Sequence, residues 1–600
     1  MTAQLKGVLF VNSINSGSSD AASGLRRLVD STLSHGLLIV MMALVAYANT
    51  FSVPFIFDDE TSIVRNEVIH NLDNFLTNRS GYDSMPNRYV AYLSFALNYY
   101  VGGMNVVGYH VVNLVIHIAN GLLVYALVGL TLRTPFFVRG SDSDTLRSYD
   151  PTHRSSLAMH HFLPLFAALL FICHPIQTQA VTYIVQRITS LATLFFLASL
   201  VLHVRWRLAR ESGDFLLSRQ VLPFWLLSLV SAILAMKTKE IAFTLPPAVL
   251  LYEFCFFGRP TPRKLAETTP LFLTALIIPS TMLTLHKEVG QILSSVGRAT
   301  MESNLLSRWE YLFTQFSVIV TYLRLLVLPV NQNLDHDYPV NHSLLEPRAF
   351  LSLALLLALF GLALCLYYHS RLKLKKSRND LETCELRSSL FPHRFSRLTA
   401  FGIFWFFLTL SVESSVIPIN DLIFEHRLYL PSIGFFIALV GLTCRFCTAR
   451  TSVMCAAMGV IVTVTLCFST YMRNTLWKSE VDIWRDSVSK SPEKSRPHAN
   501  LGVAYGKQEQ VAEALLQFDS AVSLAPDQTN PYEFITPGPL SNIVILYVSA
   551  GRLQQAAAAC KALLKLDPDM ELPLNLYQIL RMPRPDDEAL LLVRNVCGVE

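Results

Sequence analysis

The sequence is poor in charged residues. Only 16% of its 600 residues are Asp, Glu, Lys or Arg, whereas 52% are hydrophobic, and soluble proteins carry about 25% charged residues. This composition excludes an ordinary soluble domain and indicates an integral membrane protein. The formal net charge of +5 does not indicate a nucleic-acid partner, because the Lys and Arg residues stand in short loops between apolar segments, where they determine topology.

Paired cysteine motifs are also scarce. The ten cysteines are scattered, and several lie inside apolar segments, which argues against a disulfide framework. Cys444 and Cys447 form one CxxC motif, but no second pair completes a zinc site. We therefore expect no structural metal.

Long apolar segments make up most of the chain. The sequence predicts about eleven spans of the roughly 20 residues that a bilayer requires, near residues 35–53, 107–132, 162–180, 186–206, 220–237, 240–257, 268–286, 350–369, 398–418, 428–446 and 452–472. A further apolar segment, 310–330, would break the alternation of basic and non-basic loops, so we expect it to be re-entrant or interfacial. The predicted fold is an all-α polytopic bundle over 35–472, with residues 1–34 in the cytoplasm.

The first apolar segment has two interpretations. Arg26 and Arg27 precede it, and "AYA" at 46–48 is similar to a signal-peptidase site. We favour an uncleaved anchor, because the apolar character resumes after this site. Either interpretation places Asp58 on the extracytoplasmic side.

Residues 473–600 are predicted to form a soluble helical domain on the extracytoplasmic side. A 34-residue tetratricopeptide unit is indicated by Leu501, Gly502, Tyr505, Ala514, Phe518, Ala521 and Pro526. A second unit matches through Tyr547, Ala556 and Pro568, and a partial unit ends at Pro492. Two or three such units would present a groove for a partner.

The first extracytoplasmic loop is acidic. Asp58, Asp59 and Glu60 are adjacent, and Asp83 and Arg88 follow in the same loop. Neighbouring carboxylates raise one another's pKa, which suits a base that must accept a proton near neutral pH. A solvated acidic loop is the alternative.

Polar residues also occur within or next to predicted spans. His110, Asn113 and His117 lie on one helix face, so they either line a polar cavity or pack within the bundle. Further polar residues stand at turns on the same membrane face, namely His174, Gln177, Gln179, Arg187, Lys237, Lys239, Glu240, Glu425, His426 and Arg427. Such convergence suits a substrate with an anionic head and an apolar tail, because Arg and Lys bind phosphate by charge-assisted hydrogen bonds.

Six motifs carry a resemblance to a known family. In chain order they are "FDDE", "YHVVNLVIHIANGLLVY", "HPIQTQAVTYIVQR", "KEIAFTLPPAVLLYE", "EHRLYLPSIG" and "RNTLWKSEVDIW", followed by the repeats. Together they resemble the transmembrane and tetratricopeptide-containing O-mannosyltransferases and their bacterial relatives, which are GT-C glycosyltransferases. The resemblance covers nearly the whole chain.

The resemblance implies a transferase that moves a sugar, such as mannose, from a polyprenyl-phosphate donor to a protein Ser or Thr hydroxyl, with inversion. Asp58 would be the base, and Asp59 would orient either Asp58 or the acceptor. The donor phosphate would be bound by Arg88, His174, Arg187, Lys239, His426 and Arg427. The cavity would be lined by Glu60, Asp83, His110, Asn113, His117, Gln177, Lys237, Glu240 and Glu425. We expect no metal, with Mg²⁺ or Mn²⁺ as the alternative.

Other interpretations stay open. The short repeat array favours a bacterial inner-membrane enzyme with a periplasmic site, or a luminal site in the endoplasmic reticulum if the chain is eukaryotic. One alternative is a transferase whose acceptor is a glycolipid or polysaccharide, and another is a non-catalytic scaffold that recruits partners through its repeats. The sugar is not readable from sequence, because epimers differ by few hydrogen bonds.

Overall fold

The described part of the chain is helical. The structure, a computed structural model, describes residues 31–138, 151–211, 218–258, 261–285, 306–379, 384–415, 417–419, 421–448, 451–524 and 537–566. Every regular element within these ranges is a helix, which confirms the all-α class. We number the helices of eight or more residues as α1 Thr32–Ala46, α2 Tyr89–Gly102, α3 Val106–Thr131, α4 Pro151–Cys173, α5 Arg187–Glu211, α6 Leu222–Met236, α7 Leu245–Tyr252, α8 Pro262–Leu273, α9 Ile277–Leu285, α10 Arg308–Val327, α11 Pro347–Asn379, α12 Cys384–Leu410, α13 Tyr429–Phe446, α14 Ser452–Leu476, α15 Glu480–Lys490, α16 Ser495–Lys507, α17 Val511–Ser523, α18 Pro537–Ser549 and α19 Leu553–Leu566.

The protein is an integral membrane protein. Among the described residues, seven helical stretches are long and apolar enough to cross a bilayer, and an eighth is a pair bent by 52° at the end of α4. The helices α1 and α6 are apolar but shorter. The number of about eleven spans therefore stays a prediction. The segment predicted to be re-entrant or interfacial forms α10, which is 20 residues long and apolar enough to span, so its placement also stays a prediction.

Close helix packing holds the bundle together. Gly402 in α12 and Gly434 in α13 face each other, and a Cβ atom at either position would collide with the main-chain oxygen of the other. Small residues let membrane helices approach closely, which increases van der Waals contact where no hydrophobic effect drives association. The α12–α13 pair is therefore held at a distance that only glycine permits.

The loop between α1 and α2, predicted to be extracytoplasmic, folds into short helices. It contains the short helices Glu67–His70, Leu72–Thr77 and Ser80–Ser84. Its buried residues Ile56 and Ile63 share one apolar core with Tyr183, Trp484 and Leu501. This core joins the loop to the turn before α5 and to the helices α15 and α16.

The described part of the repeat region consists of packed helix pairs. A Cβ atom at Gly502 in α16 would lie 2.5 Å from Cε1 of Phe518 in α17, so the glycine is required for the close approach of this pair. The helices α18 and α19 form the next pair, and α15 precedes the first. The predicted repeat positions Pro526 and Pro568, and most of the predicted N-terminal cytoplasmic segment, lie outside the described residues.

Candidate active site

Asp59 is a buried residue that connects the loop after α1 with the turn before α5. One of its carboxylate oxygens accepts a hydrogen bond from the Ile56 N–H at 3.0 Å, and the other accepts one from the Val185 N–H at 2.7 Å. Its side chain is only 1% exposed, and this burial raises the pKa of Asp59 to about 8. Both carboxylate oxygens of Asp59 thus connect the loop to the turn before α5, and its role in orienting the base or the acceptor stays a prediction.

Asp58, its neighbour, is half-buried and accessible. Its main-chain N–H donates to the Tyr183 hydroxyl at 2.8 Å. Burial raises the pKa of Asp58, and a hydrogen bond with Tyr183 and the positive charge of Arg496 act in the opposite direction. The preceding residue, Phe57, has a φ of 55°. A bulky side chain rarely adopts this left-handed conformation, and such strain is concentrated at functional sites.

An ion-pair cluster that sequence reasoning missed lies beside Asp58. Arg496 from α16 donates to both oxygens of Asp335 at 2.6 Å and to Asp421 at 2.5 Å. Lys494 also donates to Asp335, at 2.7 Å. These residues belong to three distant segments, and no motif connects them, so no sequence signal indicated the cluster.

Four of the predicted phosphate-binding residues come together. The charges of Lys239, Arg427 and Arg88 all act on the His426 ring. The Nδ1 atom of His426 is buried and has no hydrogen-bond partner among the described residues. A buried polar atom without a partner is unusual in a folded protein, and here it stands in a group of cations.

Acidic partners partly neutralise these cations. Arg88 pairs with Glu240 through two contacts of 3.4 Å. Lys239 donates to Glu413 at 2.7 Å. Arg427 instead donates to two main-chain oxygens, and one of these, at 2.8 Å, belongs to Asp421. The segment from Asp421 to Arg427 thus contacts both the Arg496 cluster and the cationic group.

The other two predicted phosphate-binding residues, His174 and Arg187, form hydrogen bonds within the helix bundle. His174 is bonded through Nε2 to the Leu326 oxygen and through Nδ1 to the Ile176 N–H. Arg187 is fully buried and donates to Asn113 and to the main-chain oxygens of Ser94 and Tyr109. Their polar groups already have protein partners, so the structure does not bring them to the cationic group.

The polar stripe on α3 is bonded within the bundle. His110 bonds the Val53 oxygen at 2.9 Å, Asn113 donates to the Val181 oxygen at 3.0 Å, and His117 bonds the Tyr429 hydroxyl at 2.7 Å. These contacts are the ones expected if the three residues pack within the bundle. A lining role for the stripe stays a prediction.

The remaining predicted lining residues are dispersed. Glu60 pairs with Arg65 at the surface, Asp83 is exposed, and Gln177 donates to Ser432. The other two are engaged as well: Lys237 reaches the Tyr82 hydroxyl and Thr281, and Glu425 accepts from Gln332 and the Asn333 N–H. Within the described ranges, no three His, Cys, Asp or Glu side chains are placed to bind a metal ion, and metal independence stays a prediction.

Comparison with known proteins identifies relatives over most of the chain. No family model matches the chain. The chain is 23% identical to the protein O-mannosyl-transferase F38B6.6 of Caenorhabditis elegans, over 82% of this chain and 62% of that protein. It is 24% identical to Tmtc3 of Drosophila melanogaster, over 88% of this chain and 58% of that protein. It is 23% identical to human TMTC4, over 78% of this chain and 63% of that protein.

These relatives are longer proteins, of which the chain spans about three-fifths. All three are named protein O-mannosyl-transferases. The resemblance that the six motifs predicted is therefore confirmed as a similarity, over most of this chain, to the transmembrane and tetratricopeptide-containing O-mannosyltransferases.

Proposed function

We propose that this protein is a membrane glycosyltransferase that moves a hexose, such as mannose, from a polyprenyl-phosphate donor to a Ser or Thr hydroxyl of a protein. The observation that carries the proposal is that Asp58 faces Arg496, and that Arg496 and Arg427 of the cationic group both bind Asp421. Arg496 donates to the Asp421 carboxylate, and Arg427 donates to the Asp421 main-chain oxygen. Asp421 therefore connects the surroundings of Asp58 with the cationic group. A base for the acceptor and cations for the leaving phosphate are the two requirements of such a transfer.

These groups account for every bond and proton that changes in the sugar transfer. Asp58 accepts the proton of the acceptor hydroxyl, whose oxygen forms a bond to C1 of the sugar while the bond from C1 to the phosphate oxygen breaks. Attack opposite the leaving group inverts C1, as in inverting glycosidases. Phosphate leaves as an anion without an acid, and its charge is stabilised by Arg88, Lys239 and Arg427. The unpartnered Nδ1 of His426 would complete this phosphate site.

We assign the site to the extracytoplasmic face. Arg496 lies beside the loop that carries Asp58, so the repeat region shares that face. Cys560 in α19 is disulfide-bonded, and disulfides persist in oxidising compartments such as the periplasm or the lumen of the endoplasmic reticulum. The relatives reported above come from animals, and assignment to a bacterial inner membrane stays a prediction.

An in vitro transfer assay tests the proposal. The purified protein in detergent is incubated with polyprenyl-phosphate mannose and a protein extract from the extracytoplasmic compartment, with and without EDTA, and intact protein mass is measured. We expect the mass of one hexose on Ser or Thr. Mannose found in lipid and absent from protein would identify a glycolipid acceptor. Unchanged products with a panel of donor sugars would favour the non-catalytic scaffold.

A further inference from the structure

The helices α15 and α16 of the repeat region reach the loop that carries Asp58. The guanidinium of Arg496 in α16 lies 5.4 Å from the centre of the Phe57 ring. Trp484 in α15 packs edge-on against the same ring, at 5.2 Å between ring centres. The strained residue before Asp58 is thus held between two side chains of the repeat region.

Arg496 is itself held rigidly. It donates to both oxygens of Asp335, which is 1% exposed, and to one oxygen of Asp421. An Arg–carboxylate fork fixes the plane of the guanidinium, which a Lys ammonium does not do. The orientation of Arg496 over Phe57 is therefore determined by residues of the membrane domain.

We propose that Arg496 is a positioning residue of the transfer site, which holds the Phe57–Asp58 turn and presents positive charge to the Asp58 carboxylate. The proposal rests on the proposed function. It makes α16 a part of the site, in addition to any role of the repeats in binding a partner.

The charged and titratable groups around Asp58 determine the direction in which each substitution changes the pKa of Asp58. Tyr183 bonds to Asp58, Arg496 faces it with positive charge, and Asp421 and Asp335 oppose it with negative charge. Asp59 is its neighbour and interacts with it as well. Loss of the Arg496 charge therefore raises the pKa of Asp58, whereas loss of the Asp421 charge lowers it.

The test is the pH dependence of transfer for two substitutions in the same cluster. A base acts when deprotonated, so the rate falls on the acidic side of its pKa. We expect Arg496→Gln to move this acidic limb to higher pH, and Asp421→Asn to move it to lower pH, each by roughly 0.5–1 pH unit. On the acidic limb this corresponds to roughly three- to ten-fold less transfer for Arg496→Gln.

Further variants separate positioning from folding. Arg496→Lys keeps the charge without the fork, so we expect an acidic limb close to that of the wild type and a lower kcat at every pH. Arg552→Gln is the matched control, because Arg552 also pairs with an aspartate, Asp519, within the repeat region. It should leave the pH profile unchanged.

The outcomes are distinguishable. A shift to higher pH for Arg496→Gln with a shift to lower pH for Asp421→Asn supports the proposal, and reversed shifts overturn it. If Arg496→Gln does not fold, the downward shift of Asp421→Asn with the lower kcat of Arg496→Lys supports it. Unshifted profiles, or shifts of the same sign, overturn it. Asp58→Asn is measured alongside: if this variant still transfers sugar, the proposed base is wrong, whereas an inactive Asp58→Asn with an unshifted Arg496→Gln refutes only the role of Arg496.

Discussion

At the scale of single residues, environment separates two identical side chains. Asp58 and Asp59 are adjacent, but Asp59 is buried and accepts two main-chain hydrogen bonds, whereas Asp58 is half-buried and faces Arg496. A carboxylate must reach its substrate to act as a base. The geometry therefore supports Asp58 as the base and Asp59 as the residue that positions it.

The first prediction concerns Asp58→Asn. We expect transfer to fall at least about 100-fold, because an amide does not accept the hydroxyl proton, while the unfolding temperature stays near that of the wild type. Transfer and thermal unfolding are measured on the same detergent preparation. Asp73→Asn is the control, because Asp73 is an exposed carboxylate in the same loop. Wild-type rates for Asp58→Asn would remove the base assignment.

The second prediction contrasts two arginines. Arg187→Gln removes a fully buried group with three oxygen partners, so we expect the free energy of unfolding to fall by about 3 kcal/mol. Arg88→Gln, at the edge of the cationic group, should leave the unfolding temperature near that of the wild type and lower kcat/KM for the donor at least about tenfold. Thermal unfolding and donor kinetics separate the two. A stable Arg187→Gln with weakened donor kinetics would restore Arg187 to the phosphate site.

At the scale of secondary structure elements, apolar length predicted the helices well but not their membrane placement. The segment 310–330 forms the helix α10, whose length alone permits a span. The alternation of basic and non-basic loops predicted instead that this segment does not span the membrane. Length and charge are local properties, and the depth of a helix in the bilayer depends on its neighbours.

The third prediction tests the α12–α13 contact. Gly402→Ala places a Cβ atom against the main-chain oxygen of Gly434, so the helices must move apart, and we expect a loss of about 1–3 kcal/mol in unfolding free energy. Gly361→Ala in α11 is the matched control, because a Cβ atom there meets no atom within 4 Å. Equal thermal stability of both variants would contradict the close approach.

At the scale of the whole molecule, the repeat region and the membrane domain share buried polar contacts. Asn333 donates to Ser491 at 2.8 Å and accepts from Ser487 at 2.7 Å. Asp335 binds Lys494 and Arg496. The repeats are therefore joined to the bundle through the ion-pair cluster beside Asp58.

The fourth prediction concerns this junction. Asp335→Asn removes the buried charge that holds Arg496, so we expect faster hydrogen exchange both in α16 and in residues 53–66. Asp519→Asn, which breaks the pair with Arg552, should change exchange only within the repeats. Unchanged exchange in residues 53–66 for Asp335→Asn would show that the junction and the loop open independently.

The same junction has a predictable pH dependence. Burial alone would raise the pKa of Asp335, but Arg496 and Lys494 outweigh burial and lower it. A lowered carboxyl pKa contributes stability that is fully present above the unfolded pKa of about 4 and is lost as pH falls through the folded pKa. We therefore expect the protection of the α16 amides, measured relative to their intrinsic exchange rates at each pH, to decrease only below about pH 4.

The sequence by itself determined the helical membrane class, the repeats and the position of the adjacent carboxylates in the first loop, because apolar length, repeat spacing and residue adjacency are local patterns. Only the tertiary structure decided that Arg187 and His174 bond within the helix bundle and that Arg496 lies over Phe57, the residue before Asp58. The type of a side chain does not specify its partner: Arg496 and Asp335 are far apart in sequence, and their contact exists only because packing brings α16 against the membrane domain.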